Sequence, residues 1–343
     1  MSHKKQLISA NLRRRHFLGA AMAASAFAAI GPVNAQGKTE FRIQYDWLID
    51  NGKIGDIAAA KNGYFDKEGL TVTFSPGGPN AQTVPSVLAG QALGGQMGSN
   101  QVLAAYGEGF PVRMFATTYQ NSPLMYVSLP RSPVRAPQDL IGKTVAVTPN
   151  GRWILNLMLA VNKIDPAQVK LVTLGTDLTP LILGQVDVAA SFLTNTQALA
   201  VLGPTRVVMT AESAGIPYYT GTYFTSADDY EKRKDVLARF TRAVARGWGW
   251  AYENRKAAVD LMCDAYPNLD RKVEHATVDI IMGMAFNKST KDHGWGWFDN
   301  ERMEREIKLF SMAGGFTKRV PDLAGVATQE ILNMTSDARP KLG

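Results

Sequence analysis

The chain has 343 residues, 45% of them apolar, which is enough for two cores of ordinary domain size. Five of the 37 basic residues and none of the 30 acidic ones lie in residues 1–35, so the net charge of +7 falls to +2 over the remaining 308 residues. That balance removes charge as an argument for nucleic acid or an anionic membrane as partner, and the single Cys263 excludes an internal disulfide.

Residues 1–35 read as an export signal. Lys4, Lys5, Arg13, Arg14 and Arg15 precede an Ala-rich apolar run of 14 residues, 17–30, and Val33-Asn34-Ala35 supplies small residues for cleavage near Ala35. The run is too short to span a bilayer, and Arg14-Arg15-His16-Phe17-Leu18 resembles the twin-arginine motif, which implies export in the folded state. Strand-like and helix-like runs then alternate, the pattern of α/β layers. Strands are expected at 41–45, 71–75, 95–98, 112–117, 125–129, 144–147, 170–173, 188–191, 207–210 and 219–224. Between them lie helices at 82–89, 101–106, 152–162 and 196–202. In the first βαβ unit, Ala58-Ala59-Ala60 suits close packing on a sheet and Gly63 suits a left-handed cap. After Ser226 only helices are expected, at 228–253, 255–265, 270–286 and 299–313. The segments 120–126 and 216–223 read as extended crossings, which a hinged protein needs to absorb the backbone change of closure. They divide the chain into one lobe of 36–123 plus 221–343 and a second of 124–220.

Ligands of open α/β sheets bind beyond the carboxyl ends of the strands, where helix N-termini leave backbone N–H groups unpaired. Loops at those ends hold Trp47, Asp50 and Asn51 after the first strand, and Ser99 and Asn100 after the third. Asn150, Gly151 and Arg152 follow the strand at 144–147, and Thr194 and Asn195 follow the one at 188–191. Tyr119 and Tyr218 stand at the two crossings. Trp47 offers a ring to stack on, Asp50 and Asn51 an acceptor and a donor, and Arg152 a cation suited to an anionic group. Trp248-Gly249-Trp250 and Trp295-Gly296-Trp297-Phe298 read as helix packing, and Cys263 as a small buried hydrophobe. The charges alternating through 228–239 and 299–308 read as solvated helix faces.

The phrase Gly63-Tyr64-Phe65-Asp66-Lys67-Glu68-Gly69-Leu70-Thr71-Val72, with Trp47 ahead of it and Gly184-Gln185-Val186-Asp187-Val188 further on, resembles the substrate-binding proteins of ABC importers for thiamine-precursor pyrimidines and sulfonates. The resemblance implies a type II periplasmic binding protein: an α/β fold of two β-sheet/helix lobes joined by two hinge crossings. It implies a monomer in the periplasm that closes on a small-molecule ligand and delivers it to an ABC permease, with no cofactor. The ligand it implies is a pyrimidine-like heterocycle, with sulfonates or aromatic and aliphatic carboxylates as the alternative. Two positions depart from the pyrimidine branch, where Ile49-Asp50 replaces Pro-Asn and Lys53 replaces a His.

Catalytic signatures fail. His275 and His293 are the two histidines beyond residue 35 and neither has zinc spacing, so no metal is expected. Gly142-Lys143-Thr144 lacks the rest of a P-loop, and Pro217 follows Ala211-Glu212-Ser213-Ala214-Gly215 where a nucleophile elbow needs a helix. A fungal relative of the fold makes the thiamine pyrimidine from pyridoxal phosphate with a Cys-rich motif, which one cysteine cannot supply. The rival class is an exported enzyme or ligand sensor on the same scaffold, with Asp50 or Asp177 as its base.

Overall fold

The computed structural model describes residues 37–343 except 79, 149–150 and 174–176. The expected export signal and Asn150 therefore lie outside the described residues. The ten expected strands are all present: β1 (Thr39–Tyr45), β2 (Leu70–Ser75), β3 (Gly94–Met97), β4 (Val112–Tyr119), β5 (Leu124–Ser128), β6 (Thr144–Val147), β7 (Lys170–Thr173), β8 (Val188–Phe192), β9 (Val207–Thr210) and β10 (Thr220–Ser226). They form two five-stranded sheets, ordered β2-β1-β3-β10-β4 and β7-β6-β8-β5-β9. β4 leaves the first sheet and β5 enters the second across Gln120-Asn121-Ser122-Pro123, and the chain returns between β9 and β10.

In each sheet the antiparallel strand is the one that has just arrived: β10 runs against β3 and β4, and β5 against β8 and β9. The remaining pairs, β1 with β2 and β3, and β6 with β7 and β8, are parallel. A chain that crosses at the carboxyl edge of one sheet must enter the other at its carboxyl edge and run backwards. Both crossings, and the loops after β1, β3, β6 and β8, therefore share one cleft.

The helical third packs on the first sheet. Helix Lys234–Glu253 lies along helix Ile54–Lys61, where a Cβ on Gly247 would stand 2.1 Å from the Gly55 carbonyl and 2.8 Å from the Ala59 Cβ. The small residues of 58–60 thus serve a close helix–helix approach as well as a sheet. Phe240 stacks on Phe41 at 4.1 Å, and Trp248 and Trp295, both fully buried, stack at 6.1 Å. The expected helix 228–253 is two helices, Ala227–Lys232 and Lys234–Glu253, because Arg233 leaves helical geometry with φ −130°. The phrase around Gly63 is structural: Gly63 and Gly69 take φ of 69° and 66°, and Glu68 is held by Arg246 at 2.8 Å. Cys263 is buried, and among the described residues no helix is long and apolar enough to cross a membrane.

Candidate ligand-binding site

The loop after β1 has a fixed backbone and exposes two side chains, Trp47 and Leu48. Asp46 N–H donates to the Gln96 carbonyl of β3 at 3.0 Å, while the Asp46 and Trp47 carbonyls accept from Gly78 and Gly77 N–H at 3.1 and 2.9 Å. Gly77 is required there, since a Cβ would stand 2.3 Å from the Tyr45 carbonyl oxygen. Held this way, Trp47 keeps 47% of its surface exposed on the carboxyl edge of the first sheet. Asp50 accepts from Gly52 N–H at 2.8 Å, and a Cβ on Gly52 would meet both Asp50 Oδ1 and the Tyr119 hydroxyl within 3.0 Å. Asn51 is turned inward: its Nδ2 donates to the Glu274 carbonyl at 2.7 Å and to Thr277 Oγ1 at 2.6 Å.

Beneath the loop sits Asp56, which the sequence reading missed. It is fully buried and accepts from Tyr45 Oη at 2.8 Å, Tyr223 Oη at 2.7 Å and Trp248 Nε1 at 3.1 Å. Burial pushes its carboxyl up, and the hydrogen bonds from Tyr223 and Tyr45 oppose that shift. Lys53 is buried with its ammonium 4.9 Å from the Tyr45 ring centre. Its charge also opposes the upward push of burial on Asp46 and Asp50. Lys53 is thus a cation balanced by carboxylates.

At the crossings the predicted polar residues are committed to structure. Ser99 and Asn100 are the first residues of helix Ser99–Gly107, not loop residues, and both are buried. Ser99 Oγ contacts both Glu306 carboxyl oxygens, at 2.8 and 2.9 Å, and binds Tyr219 N–H and carbonyl at 2.9 and 3.1 Å. Glu306 is fully buried, and burial lifts its carboxyl to about 8. It corrects the expected solvated face at 299–308. Tyr119 packs edge-on against Trp248 at 6.3 Å, and Tyr218, buried beside Ser122, is pushed up to about 12 by that burial.

The second sheet offers less order. Gly151 opens helix Gly151–Val161 and donates to Thr148 Oγ1 at 3.2 Å. Arg152 is exposed and donates to Thr173 Oγ1 on β7 at 3.1 Å, which weakens the case for an anion site there. Thr194 and Asn195 are half-buried, and Asn195 precedes helix Thr196–Ala200 without capping it through its side chain. Asp177 is exposed and spent on Thr179 N–H at 2.9 Å and Oγ1 at 2.8 Å. Sequence reasoning also missed Glu274, whose Oε2 accepts from Asn51 N–H at 3.1 Å. Its helix, Arg271–Ala285, packs both on the turn at 51–53 and on helix Thr196–Ala200 of the second sheet.

Two sheets of this topology, joined by two crossings along a shared cleft, define the α/β fold of periplasmic binding proteins. The structure is similar to that of the periplasmic sulfonate-binding protein SsuA from Methylobacillus flagellatus KT, with a TM-score of 0.67 at 16% identity, covering 88% of this chain and 94% of that one. Residues 51–258 match the family described as NMT1/THI5 like, and the chain belongs to that family. A formylaminopyrimidine-binding protein of Halalkalibacterium halodurans is 28% identical over 255 residues, 70% of this chain and 76% of that protein. A 4-amino-5-hydroxymethyl-2-methylpyrimidine phosphate synthase of Legionella pneumophila is 23% identical over 239 residues, 68% and 75% of the two chains. The relatives thus include a binder and an enzyme.

Proposed function

We propose that the chain is the periplasmic solute-binding component of an ABC importer, taking a pyrimidine-like heterocycle into the cleft without turning it over. Residues 36–123 plus 221–343 move as one lobe and 124–220 as the other. The protein acts as a monomer, after removal of its export signal, and hands its ligand to the permease. The observation that carries this reading is Trp47: a large indole left half exposed on a backbone pinned by three hydrogen bonds, at the edge where such sheets bind ligands. A planar ring on that indole gains about 1 kcal/mol beyond burial. Asp46 and Asp50 beside Lys53 favour a ligand with N–H donors over an anion, and Arg152 is engaged with β7. The anionic alternative therefore ranks second. Closure follows if ligand touches both lobes, because only differential affinity for the closed state shifts the equilibrium. Candidate partners across the cleft are Trp47 with Asp50, and Thr194 with Asn195.

The test is calorimetric titration of the chain without residues 1–35 against aminopyrimidines, alkanesulfonates and aromatic acids, with product analysis of every binder. Trp47→Ala should weaken the best ligand by about tenfold, or roughly 1.4 kcal/mol, without changing the circular dichroism. Unchanged affinity would remove Trp47 from the site, and conversion of any bound compound would replace binding with catalysis.

A further inference from the structure

We propose that helix Asn300–Met312 is a proton-controlled clamp on the second crossing: Glu306 and Glu212 compete for Arg302, and a proton on Glu306 keeps Arg302 tied to the second lobe. The device rests on the two moving lobes proposed above and on no particular ligand.

Position is the first support. Residues 299, 302 and 306 share one face of the helix and its cap, and all three bear on Tyr219. The Tyr219 hydroxyl accepts from Asp299 N–H at 2.8 Å, and its ring centre lies 4.9 Å from the Arg302 guanidinium. Its N–H and carbonyl both meet Ser99 Oγ, the hydroxyl that contacts Glu306. The same helix reaches the second lobe at both ends. Near its start Arg302 donates to Glu212 and to Asn121 of the first crossing; near its end Phe310 packs on Trp153 with ring centres 4.8 Å apart.

Hydrogen counting is the second. Ser99 Oγ accepts from Tyr219 N–H at 2.9 Å and faces three acceptors, the Tyr219 carbonyl at 3.1 Å and the Glu306 oxygens at 2.8 and 2.9 Å. A hydroxyl has one hydrogen, so it serves the carbonyl only when Glu306 brings a hydrogen of its own. Ionised Glu306 takes the Ser99 hydrogen, leaves the Tyr219 carbonyl with Ser99 N–H alone and, being fully buried, still lacks a second donor. That donor stands one turn away, because Arg302 Nε is buried without a partner among the described residues, four positions before Glu306. Turning it toward Glu306 withdraws the guanidinium from Glu212.

Burial raises the Glu306 carboxyl to about 8, against the charge of Arg302. Tyr218 and Tyr219, at about 12, stay neutral through that interval. Asp299 is bound to Arg302 N–H, while Glu301, Glu304, Arg305 and Lys308 are exposed. From helix Gly151–Val161, Arg152 is bound to Thr173, and Asp322, which caps helix Leu323–Val326, is bound to Tyr106 at 2.9 Å. The clamp is therefore engaged below about pH 8 and released above it.

The experiment reads the distance distribution between spin labels on Lys61→Cys and Lys163→Cys, both exposed positions, in the ligand-free chain at about pH 6 and about pH 9.5. Cys263 is buried and takes no label. The ratio of open to closed populations in the wild type should change about fivefold between the two pH values, the worth of one hydrogen bond. Glu306→Gln donates to Ser99 at either pH and offers Arg302 no charge, so it should keep the wild-type pH 6 distribution at both. Groups such as Glu274 titrate in both proteins and cancel in the comparison. Glu212→Gln alters an exposed turn, so it reports even if the helix variant misfolds, and it should give the wild-type pH 9.5 distribution already at pH 6. A wild-type distribution unmoved by pH, a shift that persists in Glu306→Gln, or a Glu212→Gln protein identical to the wild type at pH 6 overturns the clamp. One narrow distribution common to all three proteins at both pH values overturns the moving lobes as well.

Discussion

The two sheets are alike in topology and unlike in how their buried polar groups are used. Around the first sheet the buried side chains include the charged groups Lys53, Asp56, Glu274, Glu306 and Arg339, and two of them anchor hubs: Asp56 accepts from three aromatic donors, and Ser99 ties Glu306 to the returning chain at Tyr219. Around the second, no charged side chain is buried among the described residues, the Tyr126 hydroxyl on β5 and Ser191 Oγ on β8 anchor no hub, and the loop at Thr194 and Asn195 is half-buried and uncapped. A satisfied buried network rigidifies the packing around it. The first half thus carries a charged, hydrogen-bonded core beneath the Trp47 loop, and the second an apolar one.

The contrast breaks if the hub is unimportant. Asp56→Ala leaves the donors of Tyr45, Tyr223 and Trp248 unsatisfied in the core, and each such group costs about 1–3 kcal/mol. The expected loss is about 3–5 kcal/mol in urea unfolding, allowing for the desolvation of the carboxylate that the change removes. Tyr126→Phe, which deletes a hydroxyl without a partner among the described residues, should alter stability by less than about 0.5 kcal/mol. Equal losses in the two variants would erase the distinction between the halves.

A finer test uses pH. Glu306 is held near 8 by burial against an ordinary value of 4.5, so the folded chain binds that proton more tightly than the unfolded one. Its stabilising contribution is full below about pH 4.5 and is lost as pH rises toward 8, and Glu274 behaves alike toward 7. Glu306→Gln should flatten the decline of the urea midpoint between about pH 5 and 8 while leaving the part set by Glu274, which ends near 7. A wild-type midpoint that climbs across that interval would contradict the burial of both carboxyls.

These carboxyls also show what was legible in the sequence. Every strand could be read, most of them because β-branched residues bounded by turn residues report a pleated, half-buried surface directly, although β3 (Gly94–Met97) contains none. The loop holding Trp47 followed from its place after the first strand. Glu306 did not follow, since it falls in the charge alternation at 299–308 that reads as a solvated helix face, and neither Asp56 nor Glu274 is singled out by a motif. A signal was present nonetheless. Glu306 falls on the buried stripe of Met303, Ile307 and Phe310, and Glu274 on that of Thr277, Val278 and Ile281, at spacings of three and four. A carboxylate inside an apolar stripe identifies a buried acid, but its partners come from distant segments such as Ser99 and Asn51, which no local pattern supplies.

A small expected effect on stability belongs to a polar contact that joins the halves. From helix Asn300–Met312 on the first-sheet side, the Arg302 guanidinium donates to both Glu212 oxygens, at 2.6 and 3.0 Å, on the turn after β9. It also donates to Asn121 Oδ1 in one crossing at 3.4 Å and lies 4.9 Å from the ring centre of Tyr219 in the other. One side chain therefore touches both crossings and the second half. Glu212 is 42% exposed, so screening limits the pair to less than about 1 kcal/mol of folding stability. Its geometric consequence is larger, because any rotation of the halves about the crossings must carry Glu212 relative to Arg302. Arg302→Gln should leave the urea midpoint nearly unchanged yet alter the ligand-independent distance distribution between spin labels placed on Lys61 and Lys163. Superimposable distributions would show that the crossings set the angle between the halves without this ion pair.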